Sequence, residues 1–246
     1  AGRDVSAPAR PGTARTPLRS AIAIGAPDSG RGRTFHQAVE FAMEAERLGV
    51  DFAWSAEAWG MDAVAPLAYV AAKTTRLRLG TGIMQISARV PANTAMTALT
   101  MAAISEDRFV LGLGASGPQV VEGLHGQPFR KALTRLRETV EIVRLAFAGE
   151  KLAYAGEHFE LPRPGGEGKA LRLAQPANPS IPIYLATLAP KALEYTGAAA
   201  DGWLGTSFVP EAAEAHLEHL RRGAEAAGRS LAALDIQVGG TVAIGD

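Results

Sequence analysis

The chain contains no cysteine. Disulfides, thiolate metal sites, iron–sulfur clusters and a cysteine nucleophile are thereby excluded, and the absence fits a reducing compartment, so a cytoplasmic location is expected. No apolar run approaches the roughly 20 residues that span a bilayer. Neither sign of charge is in excess, because 25 basic side chains meet 25 acidic ones. Nucleic acid and anionic membranes therefore find no electrostatic footprint, and neither is an expected partner. The G-x-S-x-G elbow, the P-loop and H-E-x-x-H are all missing, which removes the commonest hydrolase and NTPase signals. What remains is a chain of 246 residues, 47% of them hydrophobic. That suits one large domain or two small ones and rules out global disorder.

Residues 1–18 stand apart. They are rich in Ala, Pro, Arg and Gly, carry one acid, Asp4, and lack the apolar centre of a signal peptide. They read as an unfolded leader or a cloning remnant, with a barrel domain over 19–246. From Ser20 onward short apolar runs alternate with helical patterns. Ala21–Ala26, Asp51–Ala56, Leu77–Ile86 and Phe109–Gly114 read as strands. Between them, a capping box at Thr34 and Gln37 opens a helix that Gly49 stops, and further helices are expected over Asp62–Lys73 and Pro91–Ile104. Leu133, Leu136, Val140, Val143 and Phe147 have the spacing of a fourth amphipathic helix. The segment 151–182 interrupts the alternation, with a hairpin at Leu152–Leu161 and a long Gly/Pro-rich loop after it. Strands at Ile183–Ala186, Trp203–Thr206 and Ile236–Ile244 follow, with helices over Lys191–Ala199 and from Pro210 to about Ala227. Such alternation predicts a parallel sheet with right-handed crossovers. The fold expected is α/β, a (β/α)8 TIM barrel truncated after strand seven, with its chemistry at the carboxyl ends of the strands.

Several residues fall at those ends. Gly112, Gly114 and Gly117 match G-x-G-x-x-G, but Pro118 and a loop follow where a Rossmann helix should begin. The surviving reading is a place where backbone amides and the Ser116 hydroxyl approach an anion. Gly80, Thr81 and Gly82 stand inside the third strand, either as a bulge or as backbone that comes close to a flat ligand. Glu57, Trp59 and Asp62 stand where the second strand meets its loop, either as a proton donor and a wall for a ring or as ordinary loop residues. His216 and His219 are one helical turn apart without a third ligand, so no metal site is expected. His125 follows the fourth strand and is placed to line the mouth.

The runs AWSAEAWGMDAVAPLAYVAAKTTRLRLGTGI, RFVLGLGASGPQVVEGLHG and ADGWLGTS together resemble the bacterial luciferase-like monooxygenase superfamily. They are most similar to the branch that uses the deazaflavin coenzyme F-420, and the likeness extends over about Ser20 to Asp246. The resemblance implies a barrel with the coenzyme ring at its mouth, close to Trp59, Gly80 and Thr81, and a strand-three bulge with a non-prolyl cis peptide at Gly82-Ile83. It implies a coenzyme phosphate held by Ser116, Gly117, Pro118 and Gln119, by Thr187, Leu188 and Ala189, and by Thr206 and Ser207. Many such enzymes carry an Asp-His or Asn-His pair at the end of strand two. Glu57-Ala58 stands there instead, leaving Glu57 as the acid–base candidate. The implied activity is hydride transfer between the deazaflavin and a small organic substrate, in a homo-oligomer. The alternatives are an FMN-dependent monooxygenase, or a non-catalytic flavin-binding barrel or inactive fragment.

Overall fold

A computed structural model describes residues 18–24, 34–206 and 208–239. The expected leader, apart from Leu18, lies outside the described residues. The order of elements is β1 (Ala21–Ala23), α1 (Phe35–Arg47), β2 (Phe52–Ser55), α2 (Ala65–Ala71), β3 (Arg78–Thr81), β4 (Met84–Gln85), α3 (Pro91–Ile104) and β5 (Phe109–Gly114). Then come α4 (Ala132–Phe147), β6 (Tyr154–Ala155), β7 (Glu160–Leu161), β8 (Ile183–Ala186), α5 (Pro190–Ala199), β9 (Gly202–Gly205), α6 (Ala213–Ala226) and β10 (Asp235–Val238). The main sheet runs β1-β2-β3-β5-β8-β9-β10, every neighbour parallel, with β4 continuing β3 alongside β5. The fold is thus a parallel α/β sheet curled toward a TIM barrel.

Alternation along each strand makes two cores. Ala53, Leu79, Phe109, Leu111, Leu113, Ile183, Leu185 and Trp203 belong to the large core that also takes in the helices. Phe52, Val110, Tyr184 and Leu204 form a second cluster, with Trp54, Ile83 and Ala186 against it. That cluster measures the curl. Two strands separate β2 from β8, so in a flat sheet Trp54 and Tyr184 would be about 14 Å apart at the usual strand spacing. Their rings are 5.8 Å apart, which only a strongly curved sheet permits. Small residues make the space for these rings. An ideal Cβ on Gly80 would come within 2.1 Å of the Trp54 ring, and one on Gly202 within 2.6 Å of Tyr184. The two sheet edges approach at the amino ends of the strands, where Asp235 of β10 takes the guanidinium of Arg19 and the hydroxyl of Tyr184. Burial, then the hydrogen bond to Asp235, pushes the Tyr184 phenol above its ordinary range.

Local signals act as expected at several ends. Thr34 and Gln37 form the reciprocal capping box of α1. Asp62 stands in the loop between β2 and α2. Its carboxylate accepts from the amides of Val64 and Ala65 at 2.8 and 2.9 Å, so it caps the start of α2 and the helix begins later than the sequence pattern suggested. The interruption after α4 contains the antiparallel hairpin β6–β7. Glu138, buried on α4, holds that hairpin by accepting from the amides of Glu157, His158 and Phe159. The last strand is observed over Asp235–Val238, and residues 240–244 of the expected strand lie outside the described residues.

Candidate functional site

Because every strand of the main sheet is parallel, all carboxyl ends share one edge, and this is the mouth. The residues singled out from the sequence lie at or just beyond it: Glu57 and Trp59 after β2, Gly80 to Ile83 at the end of β3, Ser116 to Gln119 after β5, Thr187 to Ala189 after β8, and Thr206 after β9. Ser207 lies outside the described residues.

The centre of the mouth is the break between β3 and β4. The Gly82-Ile83 peptide is cis. The β2 ladder continues across the break, with Gly82 N–H donating to Ser55 O at 2.7 Å and Glu57 N–H to Ile83 O at 3.1 Å. On the other side Thr81 replaces a backbone pair. Its hydroxyl donates to Gly112 O at 2.8 Å and accepts from Gly112 N–H at 2.9 Å. Gly112 must lack a side chain for this, since a Cβ there would come within 1.7 Å of Thr81 O. Gly114 in turn leaves room for Ile83, whose Cδ1 would be 2.5 Å from an added Cβ. Gly112 and Gly114 are therefore spaced for the bulge. Thr81, fully buried, belongs to the ladder.

Glu57 is buried beneath this bulge. Its Oε1 accepts from the Gln85 amide at 3.0 Å and from Arg89 Nη1 at 2.5 Å, and its Oε2 accepts from the Ala63 amide at 3.2 Å. The carboxylate thus ties the β2 loop, the start of α2, β4 and Arg89 into one unit. Both of its oxygens are occupied by these partners.

Beside the bulge a cavity of about 290 Å³ opens, lined by Ile24, Trp54, Ala58, Trp59, Met61 and Gly82 among others. Its size lies near the lower end for ligand pockets and suits one ring system. Trp59 is 81% exposed and forms an outer wall. Trp54 is the inner one, stacked within 4° on Phe52. Trp54 had no place among the sequence-derived site residues. Its signal was the strand alternation in DFAWSA, which sets Phe52 and Trp54 on one face.

The remaining candidates divide. Ser116 has a left-handed backbone, φ 59°, an unusual conformation for a residue with a side chain. It turns the chain so that Gly117 O accepts from the Val120 and Val121 amides at the start of a π-helical turn over Gln119–Leu124. The Thr187 hydroxyl points to α5, 2.7 Å from the Thr196 hydroxyl, and its carbonyl takes the Trp203 indole N–H at 2.9 Å. Leu188 and Thr206 are exposed. Of the histidines, His216 packs on the Trp203 ring and His219 pairs with Glu194. Among the described residues no cluster of three His, Asp or Glu has the arrangement of a metal site, and no helix is long and apolar enough to cross a membrane.

Comparison with known proteins places this geometry. A protein of Mycobacterium tuberculosis named as a coenzyme F-420-dependent oxidoreductase is 45% identical over 190 residues, 75% of this chain and 55% of the relative. An F-420-dependent glucose-6-phosphate dehydrogenase of Kineococcus radiotolerans is 33% identical over 211 residues, 80% of this chain and 60% of the relative. The chain thus spans between half and two thirds of the length of these relatives. Among solved structures, the coenzyme F-420-dependent tetrahydromethanopterin reductase of Methanopyrus kandleri superposes with a TM-score of 0.78 at 24% identity, over 91% of this chain and 65% of that one. The family model described as luciferase-like monooxygenase matches residues 17–246, and the chain belongs to that family.

Proposed function

We propose that the mouth binds a deazaflavin coenzyme of the F-420 type and that the protein containing this chain transfers a hydride between it and a small organic molecule. The observation that carries the reading is the apolar cavity between Trp54 and Trp59 at the carboxyl edge of the sheet, in a chain similar to proteins named for that coenzyme. The residues fit such a group. A flat ring system finds an apolar inner wall in Trp54, an outer wall in Trp59, and in Gly82 a stretch of backbone without a side chain. The Ser116–Gln119 turn and the Thr187–Ala189 and Thr206 loops stand on the same edge, where a phosphate tail would run. The coenzyme, when bound, supplies or takes up the hydride, and the chain's part is to hold the donor and acceptor carbons together away from water.

Glu57 is best read as the brace of this floor, because a carboxylate that already serves two amides and a guanidinium is engaged in holding the bulge. The test of the main reading is a binding titration of the protein with coenzyme F-420 and with FMN, followed by ligand fluorescence. Saturable quenching of F-420 at micromolar protein, with FMN weaker, is the expected result. Preference for FMN selects the monooxygenase reading that the family name suggests. Binding of neither makes this chain a scaffold without the coenzyme.

A further inference from the structure

Three polar residues at the mouth form a chain that the coenzyme reading does not use. Gln85 ends β4, lies opposite Gly114 of β5 and is 2% exposed. Its side-chain nitrogen is 2.6 Å from Nε2 of His125. Its side-chain oxygen accepts from the Ser87 hydroxyl at 2.7 Å. His125 follows the π-helical turn over Gln119–Leu124 and is exposed.

With the side-chain nitrogen of Gln85 facing Nε2 and its oxygen facing Ser87, the nitrogen has no lone pair to accept with and donates to the ring. Nε2 of the neutral imidazole then carries the lone pair, and the ring proton resides on Nδ1, the reverse of the preference of free histidine. Ser87 holds the far end of the amide, and the bond from the Gln85 backbone amide to Glu57 holds the strand that carries it. Nδ1 has no protein partner among the hydrogen bonds of the described residues and belongs to an exposed ring.

We infer that Gln85 and Ser87 are positioning residues that keep His125 as the Nδ1–H tautomer, so that the mouth presents a neutral N–H donor to a carbonyl oxygen of the molecule bound there. The ligand half of this inference rests on the hydride-transfer reading, and the tautomer half does not. In reduction of a carbonyl acceptor, the hydride adds to the carbon, the π pair moves to the oxygen, and the oxygen afterwards takes a proton from water. The donor stabilises the charge that grows on that oxygen. A ring carbonyl of the coenzyme offers the same acceptor chemistry, and the experiment separates the two sources.

The experiment is nitrogen NMR of protein labelled with ¹⁵N-histidine, with His125→Asn identifying the signals. The expected neutral form in the wild type is Nδ1–H, the ratio of the two forms being shifted about fivefold from that of a free imidazole by one neutral hydrogen bond. Gln85→Glu supplies a carboxylate that only accepts, and moves the proton to Nε2. Ser87→Ala, a smaller change that leaves the fold untouched, weakens the Nδ1–H preference. A wild-type ring with its proton on Nε2, or one indifferent to both substitutions, overturns the positioning claim. Oxidised F-420 is then added with binding followed by fluorescence, and cyclohexanone after it. A downfield shift of Nδ1–H with F-420 alone assigns the partner oxygen to the coenzyme. A shift that needs the ketone assigns it to the acceptor. Bound F-420 with no shift in either arm overturns the donor role. F-420 that fails to bind wild type and variants alike sinks the hydride reading instead, while the tautomer stands on the ligand-free spectrum.

Discussion

The two ends of the sheet use polar groups in opposite ways. At the amino ends several charges are spent on backbone. Arg108 donates to the carbonyls of Ala71, Thr74, Leu77 and Ser105 and to the Thr74 hydroxyl. Arg229 takes the carbonyls of Gly197 and Ala200 at the end of α5. Glu46 gathers the amides of Thr75, Arg76 and Leu77 ahead of β3. These groups satisfy helix ends and loop amides that would otherwise be left unpaired. At the carboxyl ends the backbone is arranged by glycines and a bulge, and side chains such as Trp59, Leu188 and the His125 ring remain available. One end closes the fold, and the other leaves side chains exposed. That division is the one expected of a barrel whose chemistry lies at the strand carboxyl ends.

The sharpest way to break the comparison is to spoil the mouth through its backbone alone. Gly112→Ala adds one methyl group that meets Thr81 O at 1.7 Å. The neighbour is main chain in the middle of a ladder, so neither rotamer nor side chain can yield. Overpacking of this kind costs about 3 kcal/mol, the upper part of the usual range. A urea midpoint lowered in proportion, or loss of folded protein, is expected. A midpoint within about 0.5 kcal/mol of wild type, the range of neutral surface changes, shows that the bulge relaxes without loss.

Glu57→Gln sharpens the same contrast, because Glu57 is the mouth residue that behaves like those at the opposite end. Read as a brace, it leaves Arg89 without its charge partner and keeps one acceptor oxygen for the amides of Ala63 and Gln85. A stability loss of about 2 kcal/mol is expected, below that for breaking a fully buried pair because Arg89 is partly exposed. F-420 binding should weaken modestly, and turnover of bound coenzyme should fall less than tenfold. A turnover loss of about 10²–10⁴-fold with stability unchanged would return Glu57 to the role of proton carrier.

The sequence made legible whatever depends on neighbours a few residues away. The strand–helix alternation, the Thr34–Gln37 box and the hairpin before the long loop are local patterns, and each is present in the structure. The strand read as Leu77–Ile86 divides into β3 and β4, a break that family resemblance implied and that residue spacing left open. The parts of the site that were not legible depend on partners distant in the chain. Gln85 meets Glu57 across 28 residues and His125 across 40, and nothing in the local pattern marks Gln85 or Ser87. Asp62 was left open between a mouth residue and an ordinary loop acid, and its partners two and three residues away make it the loop acid that leads into α2. Gly80 was read as a bulge or as room for a ligand, and the space beside it is filled by the protein's own Trp54.

The smallest expected effect tests the closed end, and pH is its probe. Glu46 is burdened by burial, which raises its pKa, but the amides of Arg76, Leu77 and Thr75 outweigh that and hold it below its ordinary value of 4.5. A carboxylate with a depressed folded-state pKa contributes stability that is fully present above the unfolded value and is lost as pH falls through the folded one. Glu46→Gln cannot titrate, retains a single weaker acceptor for three amides, and should cost about 1 kcal/mol near neutrality, discounted because the group is only partly buried. The gap between wild type and variant, read from urea midpoints, should stay constant from neutrality down to about 4.5 and narrow below it. If the gap is the same at acid pH as at neutral pH, the contribution of Glu46 is one of packing and hydrogen-bond shape. The amino end would then be closed by geometry, with its charges contributing little.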